Sequence, residues 1–235
     1  MEDGIIKEVS ENERFNFDCQ CQVPCFNQCC RDLNQFLTPY DIIRIKNHLN
    51  ISSTFFLEQY TETHIGPQTR LPVITIKPAA GHERKCPFVT PLGCSVYEGR
   101  PSSCRMYPVI RVLSRSRESR ETHIRYALIQ EPHCRGFEQP RSLTVKEWMS
   151  GQELEPFNEM NDLMMDIISL KTRHMPGYLN DDIKRLFFTI CYDIDGFRAE
   201  IGKSGNPFIQ IPDSVIDDDV ELLRFGMAYL QDVFT

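Results

Sequence analysis

Cys19-Gln20-Cys21-Gln22-Val23-Pro24-Cys25-Phe26-Asn27-Gln28-Cys29-Cys30 concentrates five of the chain's ten cysteines in one short run. A packed core spaces its apolar positions by two in a strand and by three to four in a helix. This run does neither, contains Pro24 and ends in an adjacent pair, so its thiols read as metal ligands. Further along come Cys86-Pro87-Phe88, Gly93-Cys94, Cys104-Arg105 and His133-Cys134. A tetrahedral zinc site needs four ligands, usually spaced C-x2-4-C. An iron-sulfur cluster also needs four thiolates and tolerates wider spacing. Eight thiolates drawn from these nine cysteines would make two four-thiolate sites, and one site with reactive or supporting cysteines fits the same number. Adjacent Cys29 and Cys30 are expected to project differently, which suits two metals or two irons better than one zinc and favours iron-sulfur. Cys191, inside Phe187-Phe188-Thr189-Ile190, reads instead as a free buried cysteine.

With 235 residues the chain can bury a sizeable core without staples, and 41% apolar with 25% charged residues describes a folded globular protein. A formal net charge of -7 argues against a sequence-independent grip on nucleic acid, which needs Lys and Arg to neutralise phosphates. No run approaches 18 apolar residues, and the acidic first thirty residues lack the basic and apolar regions of a signal peptide. The expectation is a cytoplasmic protein with neither membrane nor nucleic-acid partners, where reduced thiols bind metal or do redox chemistry.

Residues 1–18 are expected to hold no regular element, with Phe15 and Phe17 packing beside the cysteine loop. Thr38-Pro39-Tyr40-Asp41 carries an N-cap hydroxyl, Pro at the first helical position and an acid in the first turn, predicting a helix over 39–49. Ser52-Ser53-Thr54 caps a second through Tyr60, and Val73–Ile76 is a strand candidate. Residues 86–108, punctuated by Pro87, Pro91, Gly93, Gly99 and Pro101, read as loop. Residues 107–113 and 122–130 should pair as a hairpin around an arginine-rich turn, a candidate dock for an acidic partner. From Thr144 the pattern is helical: 145–149, about 153–173, 181–192 and 217–234, with a break at 202–207. The fold class expected is α+β: a loop-rich cysteine-cluster metal-binding region over 15–140 with a short β-hairpin, packed with a mainly helical region over 141–235 in one core. Gly202-Lys203-Ser204-Gly205 lacks the upstream glycine and strand of a phosphate loop, and the six histidines show no metal-binding spacing.

The order Phe17-Asp18-Cys19, Pro24-Cys25-Phe26, Cys29-Cys30, Leu37-Thr38-Pro39-Tyr40-Asp41, Cys86-Pro87-Phe88, Gly93-Cys94-Ser95-Val96-Tyr97-Glu98, Arg100-Pro101, Cys104-Arg105-Met106-Tyr107-Pro108 and Cys134 resembles the YkgJ-type cysteine-cluster family over about residues 15–140. Zinc or iron chelation is ascribed to that family, which includes bacterial flagellin lysine N-methylases. Carried over by position, the resemblance implies Cys19, Cys25, Cys29, Cys30, Cys86, Cys94, Cys104 and Cys134 as ligands. Cys21 has no counterpart in the pattern and stands as the alternative to Cys19. The cofactor implied is an iron-sulfur cluster, 4Fe-4S favoured, or zinc.

Each four-thiolate site carries about -2 of charge that neighbouring donors must balance, and Arg100, Arg105 and Lys85 lie beside the cysteines. Arg100, Arg105 and Tyr107 could alternatively hold a cofactor such as S-adenosylmethionine, a guanidinium gripping its carboxylate. The leading function is thus a metal-binding protein with a redox or accessory role. A lysine N-methyltransferase-like enzyme acting on a protein substrate is the alternative, and a zinc-stabilised module that binds a protein partner is the third.

Overall fold

Helices of unequal length and short antiparallel strands give the chain the α+β fold its sequence predicts. The structure is a computed structural model describing residues 4–31, 34–81, 84–115, 122–201, 203 and 211–235. In chain order the elements are β1 (Ile5–Val9), β2 (Arg14–Asn16), β3 (Phe36–Leu37), α1 (Pro39–Leu49), α2 (Ser53–Tyr60), β4 (Thr61–Ile65), β5 (Pro72–Ile76), β6 (Val89–Thr90), β7 (Gly93–Cys94), α3 (Ser102–Met106), β8 (Val109–Arg115), β9 (Thr122–Gln130), β10 (Ser142–Thr144), α4 (Val145–Gly151), α5 (Glu155–His174), α6 (Asp181–Cys191), α7 (Ile194–Ile201), α8 (Asp213–Ile216) and α9 (Asp219–Val233). Among the described residues no helix is long and apolar enough to cross a membrane.

Helix starts follow the local chemistry. Thr38 accepts the Asp41 N–H while the Asp41 carboxylate accepts the Thr38 N–H, and Thr144 and Glu147 repeat that reciprocal box at α4. Ser52, Asn180 and Asp218 cap α2, α6 and α9. Three expectations need correction. Residues 1–18, expected to be irregular, hold β1 and β2, because pairing with β9 and β10 more than a hundred residues away supplies order that no local pattern announces. The 86–108 segment, expected to be loop, holds the small β6–β7 hairpin and α3, so Cys104 lies on a helix. Helix α7 occupies residues to which the sequence pattern assigned no element. The Asp193 carboxylate in fact caps it, accepting the Gly196 N–H while Ser53 and Thr54 donate to the same oxygen. The arginine-rich hairpin tip and most of the 202–207 break lie outside the described residues.

The chain forms two compact units: residues 1–33, 79–97 and 102–156 in the first, and 34–78, 98–101 and 157–235 in the second. In the first, β1-β9-β8 is an antiparallel sheet, with Val9 opposite Tyr126 and Val109 opposite Leu128. The β10–β2 ribbon sets Leu143 opposite Phe15. Val9, Phe15, Phe17, Val109, Leu128, Cys134, Leu143, Val145 and Trp148 form one buried cluster, which sets the two phenylalanines among the neighbours of Cys134. Phe17, fully enclosed, meets Phe137 and Trp148 edge-on at 5.2 Å between ring centres.

The second unit packs the β3-β5-β4 sheet with helices whose buried faces include Ile42, Phe56, Phe187, Ile190, Phe197, Leu222 and Leu230. Its helices are tied by ions. Lys46 of α1 reaches Asp219 of α9 at 2.8 Å and Asp195 of α7 at 3.2 Å, and Arg198 binds both carboxylates. Burial alone would push the Asp195 and Asp219 carboxyls up. For Asp195 the Ser53 N–H and Lys46 outweigh burial, and for Asp219 Lys46, Arg198 and Asn47 do so, leaving both below their ordinary value.

Candidate metal centre

Tight turns fold the run Cys19–Cys30 upon itself. Val23 N–H donates to Gln20 O, Phe26 N–H to Val23 O, Gln28 N–H to Cys25 O and Cys30 N–H to Asn27 O. Asn27 takes a left-handed φ of 66°, which asparagine tolerates, and buried Val23 anchors the loop. The second cysteine segment is fastened to it by Cys86 N–H to Cys30 O, 2.9 Å, and Asn27 Nδ2 to Thr90 O, 2.9 Å. Beyond this, Gly93 adopts φ 120°, and a Cβ there would stand 3.1 Å from the Phe26 ring. A glycine is needed on both counts.

The third segment is Cys134-Arg135-Gly136. Asp18 N–H donates to Gly136 O and Phe17 N–H to Arg141 O, which straps the lead-in of Cys19 beside Cys134. A Cβ on residue 136 would stand 2.4 Å from the Phe17 ring, so only glycine allows this approach. Peptide donors aim at sulfur throughout. Arg135 N–H donates to Cys25 Sγ at 3.1 Å, Gly136 N–H to Cys134, and Phe88 and Val89 N–H to Cys86. In both Cys86 and Cys134 the amide two residues onward serves the sulfur. Such donors favour a thiolate, because hydrogen bonds to a charged acceptor are the stronger ones.

Seven of the eight expected ligands form one electrostatic group. Burial, then the neighbouring Cys29, Cys25 and Cys134, pushes the Cys19 thiol up to about 11. Cys29 is pushed up by its hydrogen bond to Cys30 and by burial, and Cys86 up to about 11 by burial with Cys94 and Cys29 as charged neighbours. Cys134 is raised by burial, against the donors that lower it, and its thiol donates to Cys25. Cys29 thus joins a subset with Cys19, Cys25 and Cys134 to one with Cys86 and Cys94. The expectation that Cys29 and Cys30 project apart is corrected: both lie on the single turn Gln28–Cys30 and hydrogen-bond each other.

Cys104 is exposed on α3, and Cys21 is exposed among the first turns. Cys191 is buried in α6 of the second unit, and burial raises its thiol. Among the described residues no three His, Cys, Asp or Glu side chains converge closely enough to hold a metal ion. The donor chemistry suits a thiophilic metal, but the sulfurs stand in hydrogen-bonded pairs, so seating an ion requires the three segments to draw in.

Arg105 is enclosed, its guanidinium donating to the Gln152 carbonyl at 3.1 Å and lying 4.0 Å from the Glu153 carboxylate. Tyr107 belongs to the first unit, its ring edge-on to Phe17 at 6.0 Å. Arg100 is buried in the second unit. Sequence reasoning passed over the Arg135 and Gly136 amides and Glu131, whose charge raises Cys29 and Tyr107. The available signal was a glycine two residues beyond a cysteine.

A family model named CxxCxxCC, described as "Putative zinc- or iron-chelating domain", matches residues 19–142. That span is more than half the chain and includes every cysteine except Cys191. No curated protein matches, and no solved structure matches. From the matched span and the cysteine cluster it encloses, the chain belongs to the CxxCxxCC family of zinc- or iron-chelating domains.

Proposed function

We propose that the first unit is a metal-thiolate centre whose ligands are Cys19, Cys25, Cys29, Cys30, Cys86, Cys94, Cys104 and Cys134, loaded as iron-sulfur with 4Fe-4S the favoured form. The observation that carries the reading is the gathering of seven of these thiols, from three segments far apart in sequence, into one group in which burial and the neighbouring thiols raise Cys19, Cys29, Cys86 and Cys134. Crowded thiols resist ionising together, and a bound cation removes that resistance. Amide donors already aimed at Cys25, Cys86 and Cys134 suit the sulfurs of a cluster, whose charge and hydrogen bonding set its potential. The metal would supply electron transfer if iron-sulfur, or a closed structural tie if zinc.

The Cys29–Cys30 and Cys134–Cys25 thiol pairs favour zinc as the second reading. Hydrogen-bonded sulfurs stand about as far apart as two corners of a tetrahedron with metal-sulfur bonds of about 2.3 Å. Anaerobic purification, an absorbance spectrum and metal analysis separate the two. Broad visible absorption with iron and labile sulfide is the expected result, colourless protein with zinc establishes the second reading, and protein that takes up neither metal overturns both.

A further inference from the structure

Strand β9 outruns the strand beside it. β1 ends at Val9 opposite Tyr126, β9 continues to Thr122, and among the described residues no strand takes up the lane past Val9. The pairing with β8 shows which peptide groups face that lane. Ile129 N–H donates to Pro108 O, and the register runs on through Val109 opposite Leu128. An antiparallel ladder alternates its bonds, so Ile129, Ala127, Arg125 and His123 address β8, while Tyr126, Ile124 and Thr122 turn their N–H and C=O the other way. Val9 takes up Tyr126, and Ile124 and Thr122 are left presenting a strand edge. Beside that edge lies a groove lined by Glu8, Glu11, Glu13, Ile124, Arg125 and Tyr126, with no cysteine in its lining. One wall is the tight turn in which Glu13 N–H donates to Ser10 O. Ile124 is 44% exposed, and an apolar side chain beside open peptide groups is what a strand edge ordinarily avoids unless another chain pairs there. The lining sets three carboxylates against one guanidinium. Lys7 holds Glu13 at 2.8 Å and Arg125 lies 3.9 Å from Glu8, whereas among the described residues no ion pair reaches Glu11. The groove therefore selects a cation. A net charge of -7 sets two copies of the chain against each other, so a basic partner fits better than a second copy.

We propose that this groove docks an extended, Lys- or Arg-bearing segment of another protein, laid along Thr122 and Ile124 as a strand in line with β1. Its main chain bonds the open edge, one apolar side chain covers Ile124 and Tyr126, and its cation meets Glu11. In strand addition the main-chain bonds supply affinity and the alternate side chains supply specificity. The inference is independent of whether the cysteines hold zinc or iron.

Fluorescence anisotropy on the full chain reads the binding of a labelled hexapeptide that alternates valine and lysine. Two companions are the same peptide with glutamate in place of lysine, and the lysine peptide with alternate amides N-methylated. The lysine peptide should bind saturably and the glutamate peptide should not. N-methylation should weaken binding about 10-fold, the worth of one or two backbone hydrogen bonds. Ile124→Pro removes the outward N–H without touching the β8 ladder and should cost a similar factor, while Ile124→Val should bind as wild type does. Glu11→Gln, at an exposed side chain, should keep the melting temperature, weaken the lysine peptide about 3-fold and flatten its salt dependence. Should Ile124→Pro fail to fold, the N-methylated peptide still tests the strand. Absence of saturable binding overturns the proposal, as does equal binding of the lysine and glutamate peptides or undiminished binding of the N-methylated one. Sedimentation of the protein alone supplies the remaining outcome: a dimer that Ile124→Pro separates would give the edge to a second copy and overturn the assignment to a basic partner.

Discussion

Cys25 and Cys191 are the same residue in opposite settings. Cys25 is half-buried, accepts the Arg135 N–H and hydrogen-bonds Cys134, whereas Cys191 is enclosed on α6. Cys25→Ser should lower the bound metal per chain, and Cys191→Ser should leave it intact while costing about 1–3 kcal/mol for a buried hydroxyl. Metal analysis beside urea melts checks both, and equal metal loss from the two would erase the distinction. At residue 136 the constraint is steric, since the nearest ring atom of Phe17 would lie 2.4 Å from a new Cβ. Gly136→Ala should therefore cost about 1–3 kcal/mol, the scale of overpacking, and weaken metal uptake by displacing the amide that serves Cys134. A variant with unchanged melting and metal content would show that the approach is not needed.

At the scale of elements, what was legible in the sequence was whatever local chemistry specifies. The Thr38-Pro39-x-Asp41 start of α1 and the β8–β9 hairpin were readable because each signal and its consequence lie within a few residues. Strands β1 and β2 were not, since their partners lie beyond residue 120, whereas the α7 cap is local, Asp193 accepting the Gly196 N–H, and only the hydroxyls that steady that carboxylate, Ser53 and Thr54, are remote. For the site, the cysteines were legible by their concentration, whereas the amide donors and the facing of Cys29 and Cys30 depend on turn geometry no spacing encodes. The ion group joining α1, α7 and α9 was likewise invisible, its members lying up to 173 residues apart in sequence. Lys46→Met should lower stability by about 3 kcal/mol, because it removes one cation from two largely buried carboxylates and leaves Arg198 alone with both. Chemical denaturation at pH 7 tests this, and a loss under about 1 kcal/mol, the scale of an exposed pair, would show that Arg198 suffices.

For the whole molecule, the two units depend on different chemistry, and two signals separate them. The chain's one tryptophan, Trp148, sits in the first unit against Phe17 and donates its indole N–H to Met106 O at 3.0 Å, while α1, α2, α6, α7 and α9 belong to the second unit. Metal removal at pH 7 should therefore shift Trp148 emission to longer wavelength and leave most of the helical circular dichroism in place, because metal binding is coupled to folding of the loops that supply the ligands. Acid should act on the second unit in the metal-free protein. Asp195 and Asp219 have folded-state pKa values below the ordinary 3.8. The stability they contribute is complete above that value and disappears as pH falls from about 3.8 through the lower folded values. Helical signal in the chelated protein should thus hold from pH 7 down to about 4 and fall below it, and Lys46→Met should move the fall upward by weakening what holds both carboxyls down. Tryptophan emission and helical signal collapsing together on chelation at pH 7 would mean that metal sustains both units, and the assignment of ions to one and metal to the other would fail.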